Sequence, residues 1–271
     1  MKIMFNRWRS LRQYLFYRLV LRHPWFRLWL TRLVAGDREL EVSFLGDIFR
    51  VHSISEFGLV RAARLAESSS LLRDELPVLL NLATLIRNED VFIDVGANVG
   101  LYSKLLSRLQ TFHPRLRVVA FEPHPGTFER LKENLRTTNA QVHCMGLSGN
   151  TGRLQFFEGA VSAVFSAEKS PFALANRAIW IETKRLDEVS LPDGPIVLKI
   201  DVEGHEFEVL RGATGLFQRR RIAVVFVDGF NEPSISRFLE DRGFSLFDAS
   251  TLQPFGEGHR QLLAIQPQRI G

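Results

Sequence analysis

Cys144 is the only cysteine in a chain of 271 residues. A single thiol excludes an internal disulfide framework and a multi-cysteine zinc site, and it argues for a reducing compartment. Long apolar runs are missing from the first 36 residues. No uncharged stretch there reaches the ~20 residues of a bilayer span, and none has the form of a signal-peptide core. Acidic residues are also absent from that segment. Lys2, Arg7, Arg9, Arg12, Arg18, Arg22, Arg27 and Arg32 give it +8, so of 35 basic and 30 acidic residues in the chain, 27 and 30 remain elsewhere, a balance of −3. The net +5 therefore belongs to the N-terminal segment, and the body offers no basic excess for a nucleic-acid partner. Repeats and low-complexity tracts do not occur. With 45% apolar and 24% charged residues, disorder is excluded as the main state.

What the N-terminal segment does contain is aromatic. Three of the four tryptophans, Trp8, Trp25 and Trp29, lie among its arginines with Tyr14, Phe16, Tyr17 and Phe26. Basic residues mixed with interfacial aromatics suit a helix lying on an anionic membrane surface. At helical spacing, however, Arg9 and Arg12 fall nearly opposite Arg7, Arg18 and Arg22. Pro24 would end or kink a helix near Arg22. A second reading therefore stands beside the first: a helical cap whose aromatics pack on the rest of the chain.

Residues 37–88 read as a hairpin followed by helices. Glu39–Phe44 and Ile48–His52 flank Leu45-Gly46-Asp47, and Glu56–Ala66 and Glu75–Ile86 carry helical apolar spacing around a break at Ser68-Ser69-Ser70. From residue 89 onward the pattern alternates between strand and helix. Apolar runs at Val91–Val95, Val118–Glu122, Gln141–Met145, Ile196–Ile200 and Ile222–Val227 predict buried parallel strands. Leu101–Leu109, Thr127–Arg136 and Glu206–Leu210 predict the helices between them. Phe244–Phe247 and Leu262–Gln266 would close the sheet as an antiparallel pair. The fold class is α/β.

Val91-Phe92-Ile93-Asp94-Val95-Gly96-Ala97-Asn98-Val99-Gly100 runs from a strand through a glycine loop into a helix. Gly96 permits a sharp turn and Gly100 a close approach at the helix start. The helix N-terminus offers unpaired N–H groups to a polar ligand. Asn98 stands where a dinucleotide loop would carry glycine, and Asp94 would repel a phosphate but suit an amine-bearing ligand. The next strand ends in Glu122-Pro123, with Glu122 22 residues after Gly100. A carboxylate ~20 residues beyond such a loop accepts hydrogen bonds from ribose hydroxyls. Loop and carboxylate together point to a nucleoside ligand.

On these residues the chain resembles the FkbM-type S-adenosylmethionine-dependent methyltransferases, within the class I methyltransferase superfamily. The resemblance rests on Asp94–Gly100, Phe121-Glu122-Pro123, Leu186-Asp187-Glu188, Leu198-Lys199-Ile200-Asp201-Val202-Glu203-Gly204-His205-Glu206 and Val209-Leu210-Arg211-Gly212-Ala213. It implies a Rossmann-like sandwich over residues 89–271, with a mostly parallel seven-stranded sheet and a C-terminal antiparallel strand pair. It further implies that Gly96, Asn98 and Gly100 hold the methionine part of S-adenosylmethionine, with Asp94 facing its amino or carboxylate end through the loop. Glu122 would take the ribose diol, Pro123 would lie near the adenine, and Ser148, in Gly146-Leu147-Ser148, would edge it. Cys144 is most simply a small buried core residue.

Strand alternation would set Lys199, Asp201 and Glu203 on one side beyond the fourth strand, where open α/β sheets bind ligands. Asp201 and Glu203 so close could raise one pKa and supply a base for a hydroxyl proton, or could together hold a divalent cation. A structural reading also stands, in which either carboxylate pairs with Lys199 and Glu206 sits in a first helical turn. Asp228 could reach the same cleft, and Ser162, Phe165, Ser166 and Phe172 could belong to a substrate lid. The expected activity is O-methylation of a sugar, glycolipid, polysaccharide or related metabolite by a cytoplasmic protein. Peripheral membrane contact would run through residues 1–36. A NAD-dependent oxidoreductase is the rival enzyme class, disfavoured by Asn98 and by the absence of a Tyr-x-x-x-Lys pattern. A binding or scaffold protein without turnover is the non-enzymatic rival.

Overall fold

A computed structural model describes residues 24–64, 70–157, 178–229, 233–256 and 258–270. The chain divides into two compact units, 1–72 and 73–271. Expectations for residues 1–23, and for the lid residues Ser162, Phe165, Ser166 and Phe172, lie outside the described residues.

In the first unit, helix α1 (Pro24–Ala35) starts on its proline, at a position where the missing N–H has no helical partner to lose. Strands β1 (Glu39–Phe44) and β2 (Asp47–His52) pair antiparallel. Leu45 and Gly46 make the turn with φ of 50° and 82°, the positive pair that a two-residue hairpin of matching twist requires. Val42, Phe44, Phe49 and Val51 face inward with Leu59 and Val60 of helix α2 (Phe57–Arg64).

Helix α3 (Ser70–Leu85) was expected to belong with that hairpin; from Arg73 onward it is part of the second unit. The reason is its buried stripe. Val78 and Leu82, with Ile86 just beyond the helix, pack into the cluster formed by Phe92, Tyr102, Val118, Val197 and Phe226. Pro77 lies inside this helix and does not end it.

The second unit is built on seven strands: β3 (Val91–Val95), β4 (Arg117–Phe121), β5 (Gln141–His143), β9 (Ile196–Ile200), β10 (Ile222–Asp228), β11 (Ser245–Asp248) and β12 (Gln261–Ile265). Strands β6 to β8 form a smaller sheet of their own. The order is β11-β12-β10-β9-β3-β4-β5. β12 runs antiparallel to both of its neighbours, and the pairs β10·β9, β9·β3, β3·β4 and β4·β5 are parallel. The chain steps outward from β3 to β5, then returns to β9 on the other side of β3. The carboxyl ends of β3 and β9 therefore flank the topological switch point, where such sheets bind ligands.

Alternation along the central strands separates two apolar layers. Val91, Ile93, Val95, Leu198 and Ile200 face the layer of helices α6 (Glu206–Gly212), α7 (Thr214–Gln218) and α8 (Pro233–Glu240). Phe92, Val197 and Phe226 face the layer of α3 and of helix α4 (Leu101–Ser107). Helix α5 (Pro125–Leu135) follows β4, as expected. The Leu186-Asp187-Glu188 segment is a single 3-10 turn. Its Asp187 carboxylate accepts from the backbone N–H groups of Gly215 and Leu216, both at 2.8 Å, and so caps α7.

The smaller sheet was not among the expected elements. β6 (Gly146–Leu147), β7 (Gly152–Phe157) and β8 (Ala178–Lys184) form it in the order β6-β8-β7, with β7 and β8 antiparallel. It turns Phe156, Ile181 and Thr183 inward and leaves Trp180 and Glu182 exposed.

Candidate active site at the switch point

The β3 end supplies the glycine loop. Gly96 adopts φ +73°, and a Cβ there would lie 1.9 Å from the carbonyl oxygen of Asp201, so only glycine lets the ends of β3 and β9 approach this closely. The N–H groups of Gly96 and Ala97 both donate to the Phe121 carbonyl, at 3.0 and 2.9 Å, which ties the loop to β4. Asn98 turns the loop in the left-handed region, φ 50°, which asparagine tolerates better than most residues. At Gly100 a Cβ would meet Leu131 of α5 at 2.8 Å, so the third position of the loop packs helix against helix.

Glu122, at the end of β4, grips this loop from outside. Its Oε2 accepts from Asn98 N–H and its Oε1 from His124 N–H, each at 3.0 Å. The side chain is buried, at 6% exposure. Burial pushes its carboxyl up to about 7, against the pull of the two amides. Pro123 lines an apolar pocket beside it, together with Gly96, Phe121, Met145 and Leu147, roofed by Phe156 and Ile181 of the small sheet. The pocket holds about 400 Å³ of empty space, counting the part open to solvent.

Ser148 was expected to edge this pocket. It is buried, and its Oγ lies 2.9 Å from Nε2 of His205, which is itself among the lining residues. The polar side chains on this edge are therefore the imidazole, oriented by the serine, and Thr183. Burial lowers the pKa of His205, with Glu208 opposing, which favours the neutral ring. Cys144 is exposed, not a core residue. It follows β5, the last strand at that edge of the sheet, where the chain leaves the core.

Asp94 lies beneath the loop. Alternation sends it, like Phe92, to the α4 side of the sheet, where it is fully buried. Its Oδ2 accepts from Ser103 Oγ at 2.7 Å and Ser103 N–H at 3.2 Å. Lys199, its neighbour in register on β9, places Nζ 2.9 Å from Oδ1, as an ion pair more than an aligned hydrogen bond. Asp94 thus braces β3 against β9 and α4. Nζ of Lys199 also lies 3.5 Å from Asp201 Oδ2, donates to the Gly96 carbonyl at 3.3 Å and sits 5.2 Å from the Tyr102 ring centroid. Burial disfavours that ammonium, yet Asp94 and Asp201 outweigh it and raise its pKa.

Around Lys199 the carboxyl ends of β9 and β10 gather acids. Asp201 is half-buried, and desolvation raises its pKa against the pull of Lys199. Asp228, on the Lys199 face of β10, accepts from the Gln261 amide at 3.3 Å, and burial with the charge of Asp201 pushes it up to about 6. Glu203 does not continue the alternation of the strand. It turns out to solvent at φ +52°, a conformation that costs a residue with a Cβ roughly 1–2 kcal/mol. Partial shielding from water, followed by the carboxylates of Asp201, Glu206 and Asp228, raises its pKa. Glu206 is buried at the start of α6 and accepts from Gly204 N–H at 2.9 Å.

Two further groups at this end were not expected. Glu75 of α3 accepts a hydrogen bond from the Tyr102 hydroxyl of α4, and both stand in the field of Asp201, Asp228 and Lys199. Among the described residues, no three His, Cys, Asp or Glu side chains are disposed to hold a metal ion.

This arrangement combines an apolar pocket, a carboxylate beside a glycine loop and a second carboxylate group across the switch point. It can hold a nucleoside on one side and take a proton on the other. The model of the FkbM methyltransferase domain matches residues 94–246. The hexuronic acid methyltransferase AglP of Haloferax volcanii is 31% identical over 222 residues, spanning 79% of this chain and 84% of that one. The methyltransferase sdnD of Sordaria araneosa is 30% identical over 193 residues, 57% of this chain and 73% of that one. Among solved structures, a TehB-like SAM-dependent methyltransferase from Corynebacterium glutamicum shares 13% identity at a TM-score of 0.41, over 76% of this chain and 97% of that one.

Proposed function

The chain belongs to the FkbM methyltransferase family and is an S-adenosylmethionine-dependent methyltransferase, and from that premise we propose that it methylates a hydroxyl oxygen of a sugar, glycolipid, polysaccharide or related metabolite. The observation that carries this reading is the position of Asp201 and Asp228, across the switch point from the pocket bounded by Phe121, Pro123 and Met145. A hydroxyl becomes nucleophilic enough only as its proton leaves, and a carboxylate with a raised proton affinity beside the reacting oxygen can accept it.

The residues present fit the cofactor. The pocket is apolar enough for a purine; Glu122 is buried next to it and outside its lining, and has lone pairs beyond those taken by the two backbone amides with which to accept from the ribose diol. The turn at Gly96, Asn98 and Gly100 would carry the methionine end, with Asp94 acting through the loop it braces. His205 takes the adenine edge in this reading, with Ser148 orienting it. When bound, the cofactor supplies an electrophilic methyl group. Asp201 is the proposed proton acceptor, with Asp228 beside it on β10 and Glu203, turned toward solvent, as the carboxylate that passes the proton on; most of the remaining contribution of the chain is alignment and exclusion of water.

The relative from Haloferax volcanii carries hexuronic acid in its name, so a hexuronoside belongs among the acceptors to test. Purified protein, methyl-labelled S-adenosylmethionine and a panel of p-nitrophenyl hexosides and hexuronosides make the assay. Label recovered as a methyl ether on a ring hydroxyl supports the reading. Label recovered only as a base-labile ester on the uronic carboxylate would replace it. A membrane-linked acceptor is part of the proposal because α1 exposes Trp29, Leu33 and Val34, an apolar surface suited to a lipid interface, next to Arg32, which pairs with Asp37.

A further inference from the structure

Asp201 is built onto the glycine loop by its backbone. Its N–H donates to the Val95 carbonyl at 3.1 Å, and its own carbonyl oxygen fills the place that a Cβ on Gly96 would take. The side chain is held differently. Among the described residues, Lys199 is the one cation that pairs with it, with Nζ 3.5 Å from Oδ2. The other titratable groups facing Asp201 are Asp94 on β3, Glu75 on α3, Tyr102 on α4, Glu203 and Glu206 in the turn into α6, and Asp228 on β10. Each of these is neutral or negative, so every ionised neighbour repels the Asp201 carboxylate and Lys199 alone attracts it.

Lys199 is itself held in place. Its side chain is buried, and an ammonium carries three N–H donors. Three oxygens from three parts of the site surround it: Asp94 Oδ1 at 2.9 Å, the Gly96 carbonyl at 3.3 Å and Asp201 Oδ2. The parallel register sets Lys199 directly opposite Asp94, and Asp94 is anchored to α4 by the Ser103 hydroxyl at 2.7 Å. We propose that Lys199 is a positioning residue for methyl transfer: anchored by Asp94 and by the Gly96 carbonyl, its ammonium holds the Asp201 carboxylate at a fixed place relative to the loop that carries the methionine end of the cofactor. This rests on the reading of Asp201 as the proton acceptor. In that step the acceptor oxygen bonds the methyl carbon, the electron pair of the broken C–S bond stays on sulfur, and the hydroxyl proton passes to Asp201. Lys199 acts through Asp201 and touches no reacting atom. A misplacement of ~1 Å between such groups can cost about a hundredfold in rate, which is the scale of the effect assigned to Lys199.

Lys199→Met alone would strand Asp94 as an uncompensated buried charge, so the pair is removed together. The test compares Asp94→Asn with the double variant Asp94→Asn/Lys199→Met in the full chain. Both lack the Asp94 charge, and they differ in the ammonium alone. A residue-resolved carbon-13 titration of the side-chain carboxyls reads the pairing. Asp201 in the double variant should take up its proton at least about one pH unit above Asp94→Asn, because a cation within ~4–6 Å favours the ionised form. The labelled-methyl assay with the p-nitrophenyl panel reads the positioning. From Asp94→Asn to the double variant, kcat should fall about a hundredfold and its acid limb should move up in pH with the titration. The acceptor KM and the affinity for S-adenosylhomocysteine should be nearly kept, since the loop stays tied to the Phe121 carbonyl. An Asp201 titration that is the same in both variants, or an equal kcat, overturns the proposal. With no panel member methylated, the titration decides alone. Should the double variant not fold, the nitrogen resonance of Lys199 Nζ in wild type decides: it follows the Asp201 titration if the two are paired and stays constant if they are not. Asp201→Asn in the same assay separates the two readings. Turnover there sinks the proton-acceptor reading, whereas loss of turnover there, with equal kcat in the other two variants, sinks the role of Lys199 alone.

Discussion

Replacing Glu122 by glutamine separates its two roles, because each changes a different observable. The carboxyl is buried and accepts two backbone N–H groups. Glutamine keeps one acceptor oxygen and turns the other into a donor, so either Asn98 or His124 loses its partner, at about 1–3 kcal/mol. Against this stands the burden of the native charge. Moving a carboxyl from 4.5 to about 7 corresponds to about 3 kcal/mol, at 1.36 kcal/mol per factor of ten in proton affinity. A folded-state pKa raised above the unfolded value contributes stability that is complete below 4.5 and lost as pH rises through about 7. Wild type should therefore be the more stable protein at pH 5 and lose that advantage by pH 8, the difference between the two proteins changing by about 3 kcal/mol. Urea denaturation of both proteins across that range reads this directly, and every other acid cancels in the comparison. Calorimetry reads the second role. Loss of a charge-assisted contact to the ribose, about 1.5–3 kcal/mol, should weaken S-adenosylhomocysteine roughly ten- to hundredfold. Parallel stability curves would refute the account of burial, and unchanged affinity would refute the ribose assignment.

Other substitutions probe the frame around that residue. Gly96→Ala would press a methyl against the Asp201 carbonyl at a left-handed φ, and a loss of more than ~2 kcal/mol in urea unfolding is expected. Retained stability would show that the β3 and β9 ends can part. Arg269→Ala leaves Asp90 buried without its guanidinium partner, and thermal unfolding should report a loss of about 3–5 kcal/mol, with cofactor affinity intact. Asp201→Asn and Glu203→Gln should each bind S-adenosylhomocysteine in calorimetry yet fail in the labelled-methyl assay; turnover in both would make these carboxylates structural. Trp29→Ser with Leu33→Ser in the full chain should reduce sedimentation with phosphatidylserine vesicles, and equal sedimentation would remove the membrane contact.

What was legible in the sequence followed from local spacing. Ile196–Ile200 is a strand buried on both faces and apolar except for Lys199, and its limits agree with expectation to the residue. The positions of the glycine loop and Glu122 at strand ends followed from the same strand-by-strand alternation, while the strand order that makes the switch point did not. The small sheet did not, because β7 and β8 take their meaning from each other across some twenty intervening positions, and each run alone is short and half polar. Asp94 shows the limit most sharply. Its place at a strand end near the loop suggested a ligand-facing carboxylate, yet the strand period alone sends residues 92 and 94 to one face, together with the odd positions of β9 and the even end of β10. On β9 the matching face ends in Lys199, directly opposite Asp94 in the parallel register. Charge on that face can be buried only as a pair, and the pair consumes the one ammonium of the site. The consequence reaches the acceptor side. With Lys199 held between Asp94 and Asp201, burial outweighs its pull on Glu75 and Asp228, and their carboxyls are raised. Neither the ion pair nor its effect on those acids is written at any single spacing in the chain. Both arise from the packing of α3 and α4 against one face of a sheet whose order the loop sequences leave open.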